Sequence, residues 1–247
     1  MSNRRMIIVV GASSGIAEAC LRAWADEGGA DFHLLGRDEE VLDAIADDLG
    51  VRDPETRVGR SVLDFQEPEA IRTFSGLTET QHVDTVLIAH GALPVQSEMQ
   101  DDLQALSDSL MLNAISPALF AEAFAARLEH QGYGTLAVIG SVAGDRGRKS
   151  NYAYGAAKGL LERYVEGLQH RFGSDGPRAI LIKPGPTRTR MTAQMDQSGM
   201  ADPDAVASDI LRGIKAGKPV IYTPGKWRVI MAVIRLLPRA IFNRLDI

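Results

Sequence analysis

Tyr154 and Lys158 stand four residues apart at the end of the stretch SVAGDRGRKSNYAYGAAK, which begins at Ser141. On a helix, positions i and i+4 share a face, so the phenol and the ammonium project side by side. A free tyrosine titrates near ~10, too high for an efficient proton carrier at neutral pH. A lysine cation beside it favours the phenolate and is expected to lower that value. Such a phenol can hand a proton to an oxygen that gains charge, or take one from an alcohol. Ser141 closes the apolar run Thr135-Leu-Ala-Val-Ile-Gly140, and its hydroxyl could hold the same oxygen. Tyr152 competes for the role, but the residue four positions on is Ala156. A tyrosine and a lysine at this spacing also describe an ordinary half-solvated pair, so the motif needs support from the rest of the chain.

That support comes from a run of alternating elements. Strand-like apolar runs at Met6–Val10, Asp31–Leu35, Arg57–Val62, Thr85–Ala89, Thr135–Ile139, Ala179–Lys183 and Pro219–Tyr222 alternate with amphipathic segments of helix length. The helices are expected at Ser14–Glu27, from Asp38 as N-cap to Leu49, at Glu67–Phe74, Met99–His130 with a break near Pro117, Asn151–Phe172 and Asp202–Ala216. Alternation of this kind gives a doubly wound parallel sheet of about seven strands between two helical layers, a three-layer α/β/α Rossmann arrangement in one domain.

Composition agrees. The 247 residues carry a net charge of −5, which argues against a general nucleic-acid binder. Cys20 is the single cysteine, so an intrachain disulfide and a cysteine-based zinc site are excluded. The five histidines show no metal-ligand spacing, and no metal is expected. The N-terminal arginines precede an apolar run too short for a signal peptide, which reads as a strand. No stretch of about 20 uninterrupted apolar residues is present, so no transmembrane helix is expected.

The first strand runs into Val10-Gly11-Ala-Ser13-Ser14-Gly15-Ile16-Ala17. Gly11 permits a tight turn, Gly15 a close backbone approach, and the helix that opens there presents N–H groups to a pyrophosphate. The end of the second strand chooses between dinucleotides. A carboxylate there would bind a ribose diol, but the chain has Leu35-Gly36-Arg37-Asp38. Arg37 can pair with a 2′-phosphate, which favours NADP, and Asp38 reads as the helix cap.

Together these motifs resemble the short-chain dehydrogenase/reductase family over essentially the whole chain, with GxxxGxA for the family's GxxxGxG and Val10 for its usual threonine. The resemblance implies an NADP-dependent oxidoreductase that moves the pro-S hydride between nicotinamide and a ketone or secondary alcohol. Ser141 would hold the carbonyl oxygen, Tyr154 protonate it, and Lys158 lower the tyrosine pKa and bind the ribose. Asn113, in Leu110-Met-Leu-Asn113, matches the family's asparagine that anchors a water between the lysine and solvent. Asp64 would bind the adenine amino group, with Phe65 following along the ring. Ala89-His90-Gly91 stands where relatives have Asn-Asn-Ala-Gly, His90 packing beside the ribose or bonding to the backbone. Pro184, Gly185, Thr187 and Thr189 match the segment that holds the nicotinamide carboxamide, and Arg190–Ala201, with Met191, Met195 and Met200, takes the place of a substrate lid. The family also implies a homodimer or homotetramer through the long helices.

Residues 1–223 account for this catalytic domain. Residues 224–247 form an extension in which two short helical pieces flank Pro238, rich in Trp, Ile, Leu and Phe, with five basic residues from Lys226 to Arg244. An interfacial helix has this composition, and so does a tail packed on the body or on another subunit. With the SVAGDRGRKSNY stretch, the tail resembles a subgroup that includes the keto-reductase of the decaprenylphosphoryl-ribose epimerase system, which acts on a lipid-linked keto-sugar. A cytoplasmic location, peripheral to the inner face of the membrane if the tail is interfacial, is expected. A 3-oxoacyl-thioester reductase and a non-catalytic NADP sensor or scaffold on the same fold are the alternative readings.

Overall fold

The computed structural model of the chain describes residues 4–77 and 82–245. Seven strands, β1 (Arg5–Val10), β2 (Ala30–Gly36), β3 (Val58–Val62), β4 (Thr85–Ile88), β5 (Thr135–Ile139), β6 (Arg178–Pro184) and β7 (Val220–Thr223), form one sheet in the order β3-β2-β1-β4-β5-β6-β7. All six pairings are parallel. Side chains alternate across the sheet with period two. Ile7 and Val9 enter one core with α1 (Gly15–Glu27), α2 (Glu39–Arg52) and α8 (Pro203–Lys215). Ile8 and Val10 enter the other, with α3 (Pro68–Leu77), α6 (Ser116–Gln131) and α7 (Tyr152–Phe172). Burial on both faces explains why the central strands β1, β4, β5 and β6 read as continuous apolar runs, whereas the edge strand β3 is half-exposed and carries Arg60 and Ser61.

The expected helix from Met99 to His130 is in fact several pieces. Helix α4 (Gln96–Asp101) stops at Asp102, whose carboxylate accepts from the N–H groups of Gln104 and Ala105 and so caps α5 (Leu103–Leu110). A π-helical turn, Met111–Ile115, then leads into α6, with Pro117 in the first turn where its missing N–H costs nothing. The helical run Leu103–Gln131 is long and apolar enough to cross a bilayer by length and composition, and half of its apolar window is buried inside the fold. Phe120, Phe124 and Leu128 lie in the sheet-facing core, so the hydropathy of this run is spent on packing.

The chain ends in α9 (Lys226–Leu236) and α10 (Arg239–Phe242). Helix α9 lies beside β7 and the 3₁₀ turn Val142–Asp145. Met231 on its inner face is fully buried, whereas Val229, Ile230, Val233 and Leu236 are exposed.

Candidate active site

Strand order reverses between β1 and β4, and the crevice at that switch point is where open α/β sheets bind ligands. Both flanking turns are tightly built. Gly11 has φ +79°, and a Cβ there would lie 2.7 Å from His90 Cβ. Gly15 brings the start of α1 against the loop after β6, since a Cβ on it would meet Thr189 at 3.0 Å. Ser14 is the N-cap of α1, yet its hydroxyl is not used in the cap, and Ser13 is exposed. Ile16 is half-buried behind them. The first turn of α1 therefore faces the crevice with N–H groups that have no intrahelical partner.

At the tip of β2, Gly36 packs against Leu42, and a Cβ would come within 2.8 Å of it. A side chain at this position, where a ribose-binding carboxylate would stand, would have to displace Leu42. Arg37 is exposed and forms no hydrogen bond or ion pair with the described residues. Asp38 caps α2 through Val41 N–H, as the sequence implied. Asp64 is exposed and accepts from Gln66 N–H at 2.9 Å. Phe65 departs from expectation: its ring is buried, edge-on to His90 and Phe120. Only its main chain is available to a ligand.

His90 is neutral and its tautomer is determined. Ser116 Oγ donates to the carbonyl of Phe65, so it must accept from His90 Nε2–H at 2.8 Å. Nδ1 then carries a bare, buried lone pair without a partner among the described residues. Burial, reinforced by the Lys158 and Arg37 charges, pulls the His90 pKa down to about 3. The expected bond to the backbone is thus replaced by a bond to a core serine. Ala89 is buried beside it.

On the other side of the crevice, Ser141 follows β5 and Tyr154 opens α7. Two glycines bring them together. A Cβ on Gly144 would lie 2.9 Å from the backbone at Lys158 and Gly159, and a Cβ on Gly155 would lie 2.9 Å from the Ala143 carbonyl. Only this backbone-to-backbone contact lets the serine loop lie flat on the helix that carries Tyr154 and Lys158. Ser141 Oγ accepts from Ala143 N–H at 3.1 Å, which orients the hydroxyl. Lys158 is 4% exposed, donates to the Ile139 carbonyl at 3.0 Å, and holds its Nζ 5.8 Å from the centre of the Tyr154 ring.

The expected lowering of the tyrosine pKa is overturned. Burial pushes the Tyr154 phenol up to about 12, a hydrogen bond with Ser141 opposing this only in part. Burial likewise pulls Lys158 down to about 8. Desolvation of each charged form outweighs the attraction between them. At neutral pH the Tyr154 phenol is therefore protonated.

Asn113 sits in the π-helical turn, fully buried. Its Nδ2 donates to the Ser109 carbonyl at 3.0 Å and its Oδ1 accepts from Ala92 N–H at 2.9 Å. A Cβ on Gly91 would fall 2.8 Å from that Oδ1 and 3.6 Å from Lys158 Nζ. The asparagine side chain is thus committed to holding the turn after β4 beside the lysine. π-Helical turns of this sort concentrate at functional sites.

Past β6, Pro184 ends the strand, Gly185 N–H donates to the Thr223 carbonyl, and Thr187 Oγ1 donates to the Gly185 carbonyl. Thr189 caps the short 3₁₀ turn Arg190–Thr192. Residues 187–201 form a loop stitched at its base by Ala201 N–H to the Pro186 carbonyl and Arg188 N–H to the Ala201 carbonyl. Met191 and Met195 are exposed on it and Met200 is buried.

One group of residues escaped sequence reading. Lys183, 1% exposed, donates to Asp145 and, at 2.9 Å, to Glu162, and Tyr222 O–H reaches Asp145 at 3.2 Å. Burial alone would lower the lysine pKa, but the two carboxylates outweigh it and raise it. Their separation along the chain hid the cluster; the only local sign was a lysine inside an apolar strand.

Three comparisons with known proteins bear on this site. The sequence profile described as short chain dehydrogenase matches residues 5–199. An uncharacterised oxidoreductase of Streptomyces coelicolor is 29% identical over 245 residues, 98% of this chain and 96% of that one. An uncharacterised oxidoreductase of Mycobacterium tuberculosis is 30% identical over 164 residues, 66% of each chain. Among solved structures, a short chain dehydrogenase from Burkholderia cenocepacia in complex with NADP superposes with a TM-score of 0.84 at 18% identity, covering all of both chains. One from Sphingobium yanoikuyae in complex with NADPH gives 0.81 at 22%, covering 96% of this chain and 97% of that one.

Proposed function

Because the chain belongs to the short-chain dehydrogenase/reductase family of NAD(P)-dependent oxidoreductases, we propose that it reduces a ketone with NADPH through Ser141, Tyr154 and Lys158. The observation that carries this reading is the contact of Gly144 and Gly155 that lays the serine loop on the Tyr154–Lys158 helix, across the crevice from the Gly11–Gly15 turn. The residues fit the dinucleotide. A glycine cradle that a Cβ would fill, a Ser14 hydroxyl not used in its cap, and an Arg37 without a partner among the described residues, next to Gly36, all suit a 2′-phosphorylated adenosine. Gly11, Ser13, Ser14, Gly15 and Ile16 would take the pyrophosphate, and Arg37 the 2′-phosphate. Asp64 and the main chain of Phe65 would meet the adenine. Ala89, His90 and Gly91 would line the ribose side, and Pro184, Gly185, Thr187 and Thr189 the carboxamide side.

When bound, the nicotinamide supplies the hydride. Ser141 Oγ holds the carbonyl oxygen, and Tyr154 O–H donates its proton to that oxygen as charge develops there. The protonated resting phenol suits reduction. The Lys158 ammonium stabilises the phenolate left when the proton departs, and it would donate to a ribose hydroxyl. Asn113 keeps the turn at Gly91 in place, so that the lysine has an ordered polar neighbour on its route to solvent. NADPH oxidation against a ketone panel tests the reading, with Tyr154→Phe as control. Absence of turnover on every ketone, with NADPH bound, would favour a sensor or scaffold instead.

The finer proposals concern place and assembly. We take the chain to form a homodimer or homotetramer through α6 and α7, and to sit on the cytoplasmic face of a membrane. The outer face of the tail supports the second point. Val229, Val233, Leu236, Ile241 and Leu245 are exposed, among Lys226, Arg228, Arg235, Arg239 and Arg244. Each basic residue near an anionic surface contributes about 1 kcal/mol. Trp227, Ile234 and Phe242 are half-buried and do not belong to this outer face. A membrane-bound enzyme of this kind suits an amphiphilic ketone such as a lipid-linked keto-sugar. Co-sedimentation with anionic vesicles should fall for Val233→Asp/Leu236→Asp and at raised salt; equal pelleting of parent and variant would remove the membrane from the proposal.

A further inference from the structure

Asp145 and Arg146 follow the catalytic serine closely and their side chains diverge. Asp145 goes inward, to Lys183 on β6 and Tyr222 on β7, and through Lys183 to Glu162 on the catalytic helix. Arg146 goes outward. Its Nη1 donates to the carbonyls of Ile234, Leu237 (2.7 Å) and, more weakly, Arg235 (3.4 Å). Its guanidinium carbon lies 3.8 Å from the centre of the Phe242 ring. The last carbonyls of a helix lack intrahelical partners and carry the negative end of its dipole, so a guanidinium is the natural cap. A planar fork can serve several carbonyls and stack on a ring at once, which an ammonium cannot.

Helix α9 is pinned at its other end too. The indole of Trp227 lies on Gly185, so closely that a Cβ on that glycine would overlap it. The tail therefore spans two loops: the serine loop through Arg146, and the loop after β6 through Trp227. The serine loop itself is one 3₁₀ turn, with Gly144 N–H to the Ser141 carbonyl as its internal backbone bond. Its shape depends on what anchors it from either side.

We propose that Arg146 is a positioning residue for Ser141, and that α9, seated by Arg146 and Trp227, is the wall that limits ketone size at the substrate end of the site. This rests on the reductase reading above. Orientation of the carbonyl oxygen against the phenol governs the rate, so a small displacement of the serine loop lowers kcat. The dinucleotide contacts at Gly11–Arg37 lie at the far end of the crevice, and Gly185 is held by its own bond to the Thr223 carbonyl, so NADPH affinity is preserved. Arg146 also separates the two anchors experimentally. Removing Asp145 would take one of two carboxylates from a buried lysine, whereas the carbonyls freed by losing Arg146 lie near the surface, where water can take them.

The test uses the full chain, with NADPH and one small and one bulky ketone. Arg146→Gln should lower kcat about tenfold on both ketones and leave the NADPH dissociation constant within about twofold. Arg146→Lys, which keeps the charge but not the fork, should recover only part of that loss. Trp227→Ala should lower KM for the bulky ketone at least fivefold more than for the small one. Acrylamide quenching reads the seating directly, because Trp24 is 3% exposed and the other tryptophan is Trp227. Accessible emission should rise in both Arg146 variants. Parent-like kcat in Arg146→Gln overturns the proposal, whether the tail is released or still seated. Loss of NADPH affinity in step with kcat overturns it as well, since that reports general damage. If Arg146→Gln does not fold, the same readings on Arg146→Lys decide. Failure of the reductase reading is distinct: the parent would then turn over no ketone, while quenching would still report how the tail is held.

Discussion

The nucleotide end and the reactive end of the crevice are built from different materials. At Gly11–Ile16 and Gly36–Arg37 the protein offers backbone, and the side chains that could touch a ligand stand in solvent with few commitments of their own. At the reactive end it offers buried side chains. Lys158, Lys183, Glu162 and Asn113 are each less than a tenth exposed and spoken for by named partners. An open cradle is organised by local turn geometry and by a helix terminus, and it tolerates solvent. A buried set of charges holds its geometry only while every member is matched, because each unmatched one carries a desolvation cost. The first end can bind before anything is closed. The second can impose angles and shift pKa values.

The largest break in this contrast should come from Tyr154→Phe. Proton donation by a placed side chain is worth about 10²–10⁴ in rate, so kcat should fall by about 10³ while NADPH affinity stays within twofold by fluorescence titration. A variant with near-parent turnover would remove Tyr154 from the chemistry. Arg37→Ala probes the other end. Loss of a charge-assisted bond of about 1.5–3 kcal/mol should cut the preference for NADPH over NADH by about 10–100-fold, with kcat at saturating NADPH unchanged. A retained preference would assign the 2′-phosphate to some other group.

Paired glycine substitutions sharpen the comparison further. Gly11→Ala forces a Cβ onto His90 in a left-handed backbone, whereas Gly144→Ala forces one onto the backbone at Lys158 and Gly159. Overpacking of either kind costs about 1–3 kcal/mol. The first should weaken NADPH binding about tenfold and the second should lower kcat about tenfold at unchanged affinity. Identical effects of the two substitutions on binding and on kcat would mean that the two ends are not separate.

The smallest effect concerns pH. Lys158 titrates near 8 in the folded chain against an ordinary 10.5. Below pH 8 it is charged in both states, and its burial penalty is fully present. Between pH 8 and 10.5 the folded chain has released the proton and the unfolded chain has not, so stability rises relative to a variant without the group. Lys158→Met should therefore melt about 2–4 °C above the parent at pH 7, the shift that ~1 kcal/mol gives at this chain length. The gap should close as pH rises toward 10. A gap constant with pH would mean that Lys158 is not the group responsible.

Much of the frame was legible in the chain. The seven strands lie within a residue or two of their apolar runs, because burial on both faces leaves an unbroken signal of the right length. The Gly11–Gly15 turn, the Asp38 cap and the Tyr154–Lys158 pairing are relations within one turn or one helix, and short spacing is what a sequence displays. By its apolar period the segment 99–130 reads as one helix with a break near Pro117, because the Asp102 cap and the π-helical turn at Asn113 barely disturb that period. Phe65 was placed on the ligand because it follows Asp64; its ring instead found space between His90 and Phe120.

What the sequence determined alone was the order of elements, the motifs at their ends and the residue types available for proton transfer. Three things were decided by tertiary structure. Asp145, Glu162, Lys183 and Tyr222 became one cluster only when two strands, a helix and the turn after β5 came together. The tail's apolar residues were sorted into an inner face against Arg146 and Gly185 and an outer face in solvent, a division that depends on which surface the helix meets. The tyrosine's pKa went up, not down. A neighbouring lysine is visible as a spacing of four, but the loss of water around a phenol is a property of everything packed on it, and here that loss is the larger effect.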